Sequence, residues 1–109
     1  MKFIDVHEND YSNEIILPMD ATLRVALREN PSTGYRWQVE DISRNCLRMI
    51  SKKFGANHAH AIGSAGIAVF YFKPIKPGRC TLYLKLWRSW EGDTSIVKRF
   101  QKTVSIISG

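Results

Sequence analysis

Short runs of alternating apolar and polar residues, separated by turn formers, fill this 109-residue chain. A period of two is what a half-buried strand produces. In ATLRVALRE, Leu23, Val25 and Leu27 point one way while Thr22, Arg24 and Arg28 point the other. In YRWQV, Tyr35, Trp37 and Val39 alternate with Arg36 and Gln38; in RCTLYLKLW, Cys80, Leu82, Leu84 and Leu86 form one face and Thr81, Tyr83, Lys85 and Trp87 the other. Weaker strand signals lie in FIDV near the start, in EIIL at 14–17, around Leu47 to Lys53, in IAVFYFK at 67–73 and within 95–107. In the last of these, Phe100, Val104 and Ile106 share a face but Lys98 and Lys102 intrude, which predicts a bulge or an edge position.

Pro31, Gly34, Pro74, Pro77 and Gly78 punctuate the connections, and KPIKPGR at 73–79 reads as a turn between consecutive strands. No segment sustains a helical period, although NCLRMISKKF briefly mimics one. The pattern predicts one all-β domain over 1–109, an immunoglobulin-like β-sandwich of seven or eight strands. Such a sandwich gathers its loops at two ends, free of core packing.

Composition adds limits. At 44% hydrophobic and 24% charged residues the chain suits one globular core. The opening MKFIDVHENDY holds acids and no continuous apolar stretch, so neither a secretory leader nor a membrane span is expected there. That predicts a cytoplasmic protein, or a secreted one where a leader has been removed. Cys46 and Cys80 lack any metal or redox spacing, and the reading favours buried free thiols over a disulfide. The net charge of +6 falls entirely in residues 55–109, and no acid occurs between Asp41 and Glu91. Such a field favours an acidic surface, a phosphate backbone or simple solubility.

Three loops carry residues that the architecture alone does not require. Asn30-Pro31 starts a turn and Gly34 supplies freedom for a positive φ before Tyr35, so Ser32 and Thr33 sit at the tip of a stiff loop. GSAG, residues Gly63, Ser64, Ala65 and Gly66, lets a partner's backbone approach closely. In LWRSWEGD, two indoles bracket Arg88, and Gly92 permits the return; exposed Trp beside Arg is typical of interface anchors. Each loop alone also suits an ordinary connection, with Trp90 folded back as a lid over the core.

NPSTGY, then a glycine-rich loop, then R-S-W-E-G, in this order, resembles the chagasin family of protein inhibitors of papain-like cysteine peptidases, whose pattern is NPTTGY, G-x-G-G and R-P-W-x-G. The resemblance implies that Asn30, Pro31, Ser32, Thr33, Gly34 and Tyr35 form the central loop, with Thr33 beside the peptidase's catalytic cysteine and histidine. It implies that Gly63, with Ser64, Ala65 and Gly66, lines the non-primed side of the cleft. Arg88, Ser89 and Trp90 would cover the primed side, with Gly92 shaping the turn. The chain departs from the pattern at Ser32, at Ala65 and at Ser89, where the family carries threonine, glycine and proline. A less rigid loop loses more entropy on binding, so the last two bear on affinity.

The resemblance implies a monomeric inhibitor that is no enzyme and uses no cofactor or metal. His7, His58 and His60 do not converge with a carboxylate and a nucleophile, and the His58/His60 pair lacks third and fourth metal ligands. The alternative is a basic β-sandwich module for single-stranded nucleic acid or another acidic partner, built on Tyr71, Phe72, Tyr83 and Trp87. Against it, the aromatics alternate with core positions and the basic residues read as scattered over both faces, so neither nucleic acid nor membrane is expected as a partner.

Overall fold

Leu23, Val25 and Leu27 are fully buried, as are Leu82 and Leu84, so the alternation of the strongest strands is the alternation of core and surface. The computed structural model describes residues 2–42, 46–56 and 66–108. Its strands are β1 (Lys2–His7), β2 (Glu14–Pro18), β3 (Ala21–Glu29), β4 (Arg36–Ile42), β5 (Leu47–Ala56), β6 (Gly66–Pro74), β7 (Gly78–Trp87) and β8 (Lys98–Ile107). They form two four-stranded sheets, ordered β1-β3-β6-β5 and β2-β8-β7-β4. The pairs β1–β3 and β2–β8 are parallel and the others antiparallel. The sheets enclose one core in which Trp37, Phe70, Phe72, Leu17 and Val104 join the leucines. This is the immunoglobulin-like sandwich that the alternation predicts.

Among the described residues, helical hydrogen bonding is confined to single 3-10 turns at Pro31–Thr33, Ser89–Glu91 and Asp93–Ser95, too short to leave a period in the sequence. All of them lie in connecting loops rather than in NCLRMISKKF, whose residues from Leu47 onward belong to β5.

Two expectations are corrected. β8 is neither an edge strand nor bulged at Lys102: it runs between β2 and β7 in unbroken register. Lys102 keeps its inward phase and is buried, because its ammonium donates to the backbone carbonyls of Asp10, at 2.9 Å, and Ser12 in the β1–β2 connection. A buried ammonium is tolerated where carbonyls replace its water. The bulges fall instead at Val39/Asp41 in β4 and Met49/Ser51 in β5, both edge strands, where they disrupt pairing with a further chain.

Cys46 and Cys80 are not free thiols; they form a disulfide between the two sheets, with Cα atoms 6.6 Å apart. That separation lies within the span such a bond bridges. The two residues meet only through the crossover from β6 to β7, which spacing along the chain does not reveal.

Replacing Lys102 by Met keeps the apolar stem but leaves both carbonyls without their charged donor, so urea denaturation is expected to show a loss of about 1–3 kcal/mol. A variant as stable as the parent would mean that the ammonium does not anchor the loop.

Candidate functional site

The register places several strand ends together: Glu29 of β3 and Ala56 of β5 both flank Gly66 of β6, Arg36 of β4 pairs with Trp87 of β7, and Leu86 pairs with Lys98 of β8. The connections 30–35, 57–65 and 88–97 therefore all leave from one end of the sandwich.

Asn30 organises the first connection. Its side-chain carbonyl accepts from the Ser32 amide at 3.1 Å and the Ser32 hydroxyl at 2.7 Å. Its backbone carbonyl accepts from the Thr33 amide at 3.2 Å and the Thr33 hydroxyl at 2.8 Å. These bonds wind Pro31–Thr33 into a 3-10 turn, after which Gly34 takes φ +79°, a region that glycine occupies freely. Ser32 and Thr33 stand exposed at the tip.

Beneath the tip sits Glu29, 1% exposed. Its carboxylate accepts from the Trp37 amide at 2.6 Å, while the Trp37 indole donates to the Arg28 carbonyl at 2.7 Å. The two stems of the loop, one from each sheet, are thus bonded to each other. Lys52 and Arg36 each lie 3.7 Å from the carboxylate, and the Lys52 ammonium also donates to the Trp37 carbonyl at 2.9 Å. Two cations around one buried anion offset the cost of removing it from water. Sequence reading passed over Glu29, although its position in phase with Leu23, Val25 and Leu27 signals an inward carboxylate.

The third connection is tied to the first. The Arg88 guanidinium donates to the Thr33 carbonyl at 3.1 Å, lies 4.3 Å from the Tyr35 ring centre and pairs with Glu91 at 3.4 Å. The Trp90 indole leans over Gly34 so closely that a Cβ there would meet it at 2.6 Å. Gly34 is needed for its φ, and its lack of a side chain lets the indole rest there. Trp90 remains 69% exposed and stands outside the core cluster, so it is a surface indole rather than a lid on the core. Ser89 opens a 3-10 turn, and Gly92 reverses the chain at φ +76°. The Ser95 hydroxyl ties the loop to itself, donating its one hydrogen to the Gly92 carbonyl at 2.6 Å, with the Arg88 carbonyl also within reach at 3.0 Å, and accepting from the Arg88 amide at 3.0 Å. A groove of about 360 Å³ opens beside the tip between Gly34, Trp37, Trp87 and Trp90.

In the second connection, Gly63, Ser64 and Ala65 lie outside the described residues, as do His58 and His60. Gly66 is the first residue of β6, and the Phe54 ring fills the space above it; a Cβ at 66 would sit 2.1 Å from that ring. Glycine lets the Phe54 ring lie over the β6 backbone here, a contact that the sequence pattern did not contain. Among the described residues, no three His, Cys, Asp or Glu side chains come together as a metal site would need.

Comparison with known proteins gives this end a context. Residues 17–104 match the chagasin family peptidase inhibitor I42 model. Over 70 residues the chain is 33% identical to Amoebiasin-2 of Entamoeba histolytica; that stretch covers 63% of this chain and 57% of the relative, little more than half its length. The fold is similar to the crystal structure of the cysteine protease inhibitor EhICP2 from Entamoeba histolytica, with TM-score 0.87 and 22% identity over 97% of this chain and 96% of that one. It is also similar to the solution structure of Amebosin, with TM-score 0.71 and 19% identity over 100% and 99% of the two chains. PbICP-C, solved in complex with falcipain-2, matches over 100% of both chains with TM-score 0.64 and 14% identity. At these identities the structural likeness is one of fold. The matched family is one of inhibitors, not of enzymes. With the family match running from Leu17 in β2 to Val104 in β8, this chain belongs to the chagasin family of peptidase inhibitors.

Proposed function

We propose that this protein is a reversible, substrate-competitive inhibitor of papain-like cysteine peptidases, acting through the loop end of the sandwich. The observation that carries the reading is the locked tip: Ser32 and Thr33 protrude from a loop fixed internally by Asn30 and at its stems by Glu29 and Trp37. A cleft-binding wedge needs a tip that loses little freedom on insertion. The printed descriptions of EhICP2 as a cysteine protease inhibitor and of PbICP-C in complex with falcipain-2 support the class of target.

In this reading Thr33 sits beside the catalytic cysteine and histidine. Its backbone carbonyl is held by Arg88 and its hydroxyl by Asn30, so the loop resists adopting the extended geometry that a scissile bond requires. Gly63 to Gly66 line the non-primed side of the cleft. Arg88 and Trp90 cover the primed side, Trp90 as an exposed indole anchor. Ser89 forgoes the stiffness of the family's proline, and the bonds to Ser95 provide rigidity in its place. The interface would be of usual protease–inhibitor size, about 1,600 Å² in total. No covalent step and no metal takes part.

Inhibition constants against papain test the assignment. Thr33→Ala and Trp90→Ala are expected to weaken inhibition about 10- to 100-fold, the range of interface anchors, with melting temperatures unchanged because both side chains are exposed. If both variants inhibit as the parent does, these residues do not hold the proposed roles. Inhibition is also expected to survive EDTA; its loss would point to a metal held by His58 and His60.

A further inference from the structure

The outer face of the β1-β3-β6-β5 sheet carries charge that the molecule does not neutralise. In register across this face, Arg24 stands beside Tyr71 and Ser51, Ala26 beside Val69 and Lys53, Arg28 beside Ile67, and Lys73 directly opposite Arg48. Of the carboxylates on these strands, Glu29 is buried beneath the tip and Asp5 is held by the Arg24 guanidinium at 2.5 and 3.0 Å, which keeps it below its ordinary pKa; Glu8, just past β1, accepts from the Arg28 amide at 3.0 Å and pairs with Lys98. Arg28, Arg48, Lys53 and Lys73 form no ion pair among the described residues. The outer face of the other sheet is different: Arg79 pairs with Glu14, Lys85 with Asp93 and Arg99 with Glu40. Like charges directly opposite in a sheet are destabilising. Arg48 stands against Lys73 and neither pairs with an acid among the described residues, which marks a place for an external anion.

The ring geometry narrows that anion. Single-stranded nucleic acid is usually held by stacking its bases on open aromatic faces. Here the Arg24 guanidinium covers the Phe3 ring at 4.2 Å, the Lys53 ammonium lies 5.4 Å from the Tyr71 ring centre, and the two rings meet edge to face. Cations thus occupy the places where bases would stack. What remains is a flat array of positive groups running about 20 Å along the strands, from the Lys73/Arg48 row to the Arg28 row.

We infer that this face binds a linear sulfated polysaccharide, recognised through its sulfate groups by Arg28, Arg48, Lys53 and Lys73. The site runs along a sheet face, its Arg28 end adjoining the loop stems and its Lys73/Arg48 end lying away from them, so it tethers the protein to an anionic matrix through a surface other than the inhibitory tip.

The test uses heparin as the probe, with titration calorimetry on the full chain. Arg48→Ser/Lys73→Ser and Arg28→Ser/Lys53→Ser each remove two charges from this face, and Arg79→Ser/Arg99→Ser removes two from the other. The first two double variants are expected to bind heparin at least tenfold more weakly, and the third less than twofold more weakly. Lys73→Ser alone is expected to raise the melting temperature, since it relieves the opposed charges. Equal weakening in all three double variants would overturn the site in favour of net charge alone. Displacement of heparin by oligodeoxythymidylate at matched charge concentration would overturn it in favour of nucleic acid. Were a double variant to unfold, its single substitutions carry the same comparison.

Discussion

A buried carboxylate decides how the tip leaves the sandwich. Glu29 is the last residue of β3, and its side chain accepts the amide of Trp37 on β4, in the opposite sheet. Trp37 returns a bond from its indole to the carbonyl of Arg28, and Lys52 reaches from β5 to the Trp37 carbonyl. A charge removed from water is costly unless compensated, and Arg36 and Lys52 supply the compensation. The stems of the Asn30–Tyr35 loop are consequently fixed in separation and direction before any partner arrives. Within the loop, Asn30 makes the remaining choices by bonding both Ser32 and Thr33.

From that fixed tip the neighbouring loop takes its position. Trp90 rests on Gly34, and Arg88 bonds Thr33 while stacking on Tyr35, so the first and third loops form one surface. Each side chain ordered on binding costs about 0.5–1.5 kcal/mol. Contacts already present in the free protein reduce that cost at Arg88, which is only one-third exposed. The network around Ser95 extends the same economy of motion to a loop without proline. Scaffold, clamp and loops act as successive layers of one preorganised surface, and the charged face of the β1-β3-β6-β5 sheet is left free for a separate ligand.

Much of this was readable in the chain. Period-two alternation marked β3, β4 and β7 most clearly because one face of each sheet is wet and the other dry, the remaining strands left weaker signals, and the loop motifs marked the end where the connections gather. What escaped has a common cause: residues whose partners are far apart in sequence. Lys102 looked like a break in β8 because the carbonyls that hold it belong to Asp10 and Ser12. Gly66 looked like loop freedom because nothing in GSAG announces the Phe54 ring above it. Cys46 and Cys80 meet across the core only once β7 lies opposite β5. Charge was the most misleading: its excess lies in residues 55–109 along the chain, yet of the four bases without an ion pair on the β1-β3-β6-β5 face only Lys73 comes from there, and Arg28, Arg48 and Lys53 come from the balanced half.

The central claim is that the tip is rigid before it meets a peptidase, and backbone NMR order parameters of the free protein for Ser32 to Tyr35 address it most directly. A clamped tip should give values near those of rigid backbone, about 0.85, matching β3 and β4. Values below about 0.6, typical of a flexible loop, would contradict it.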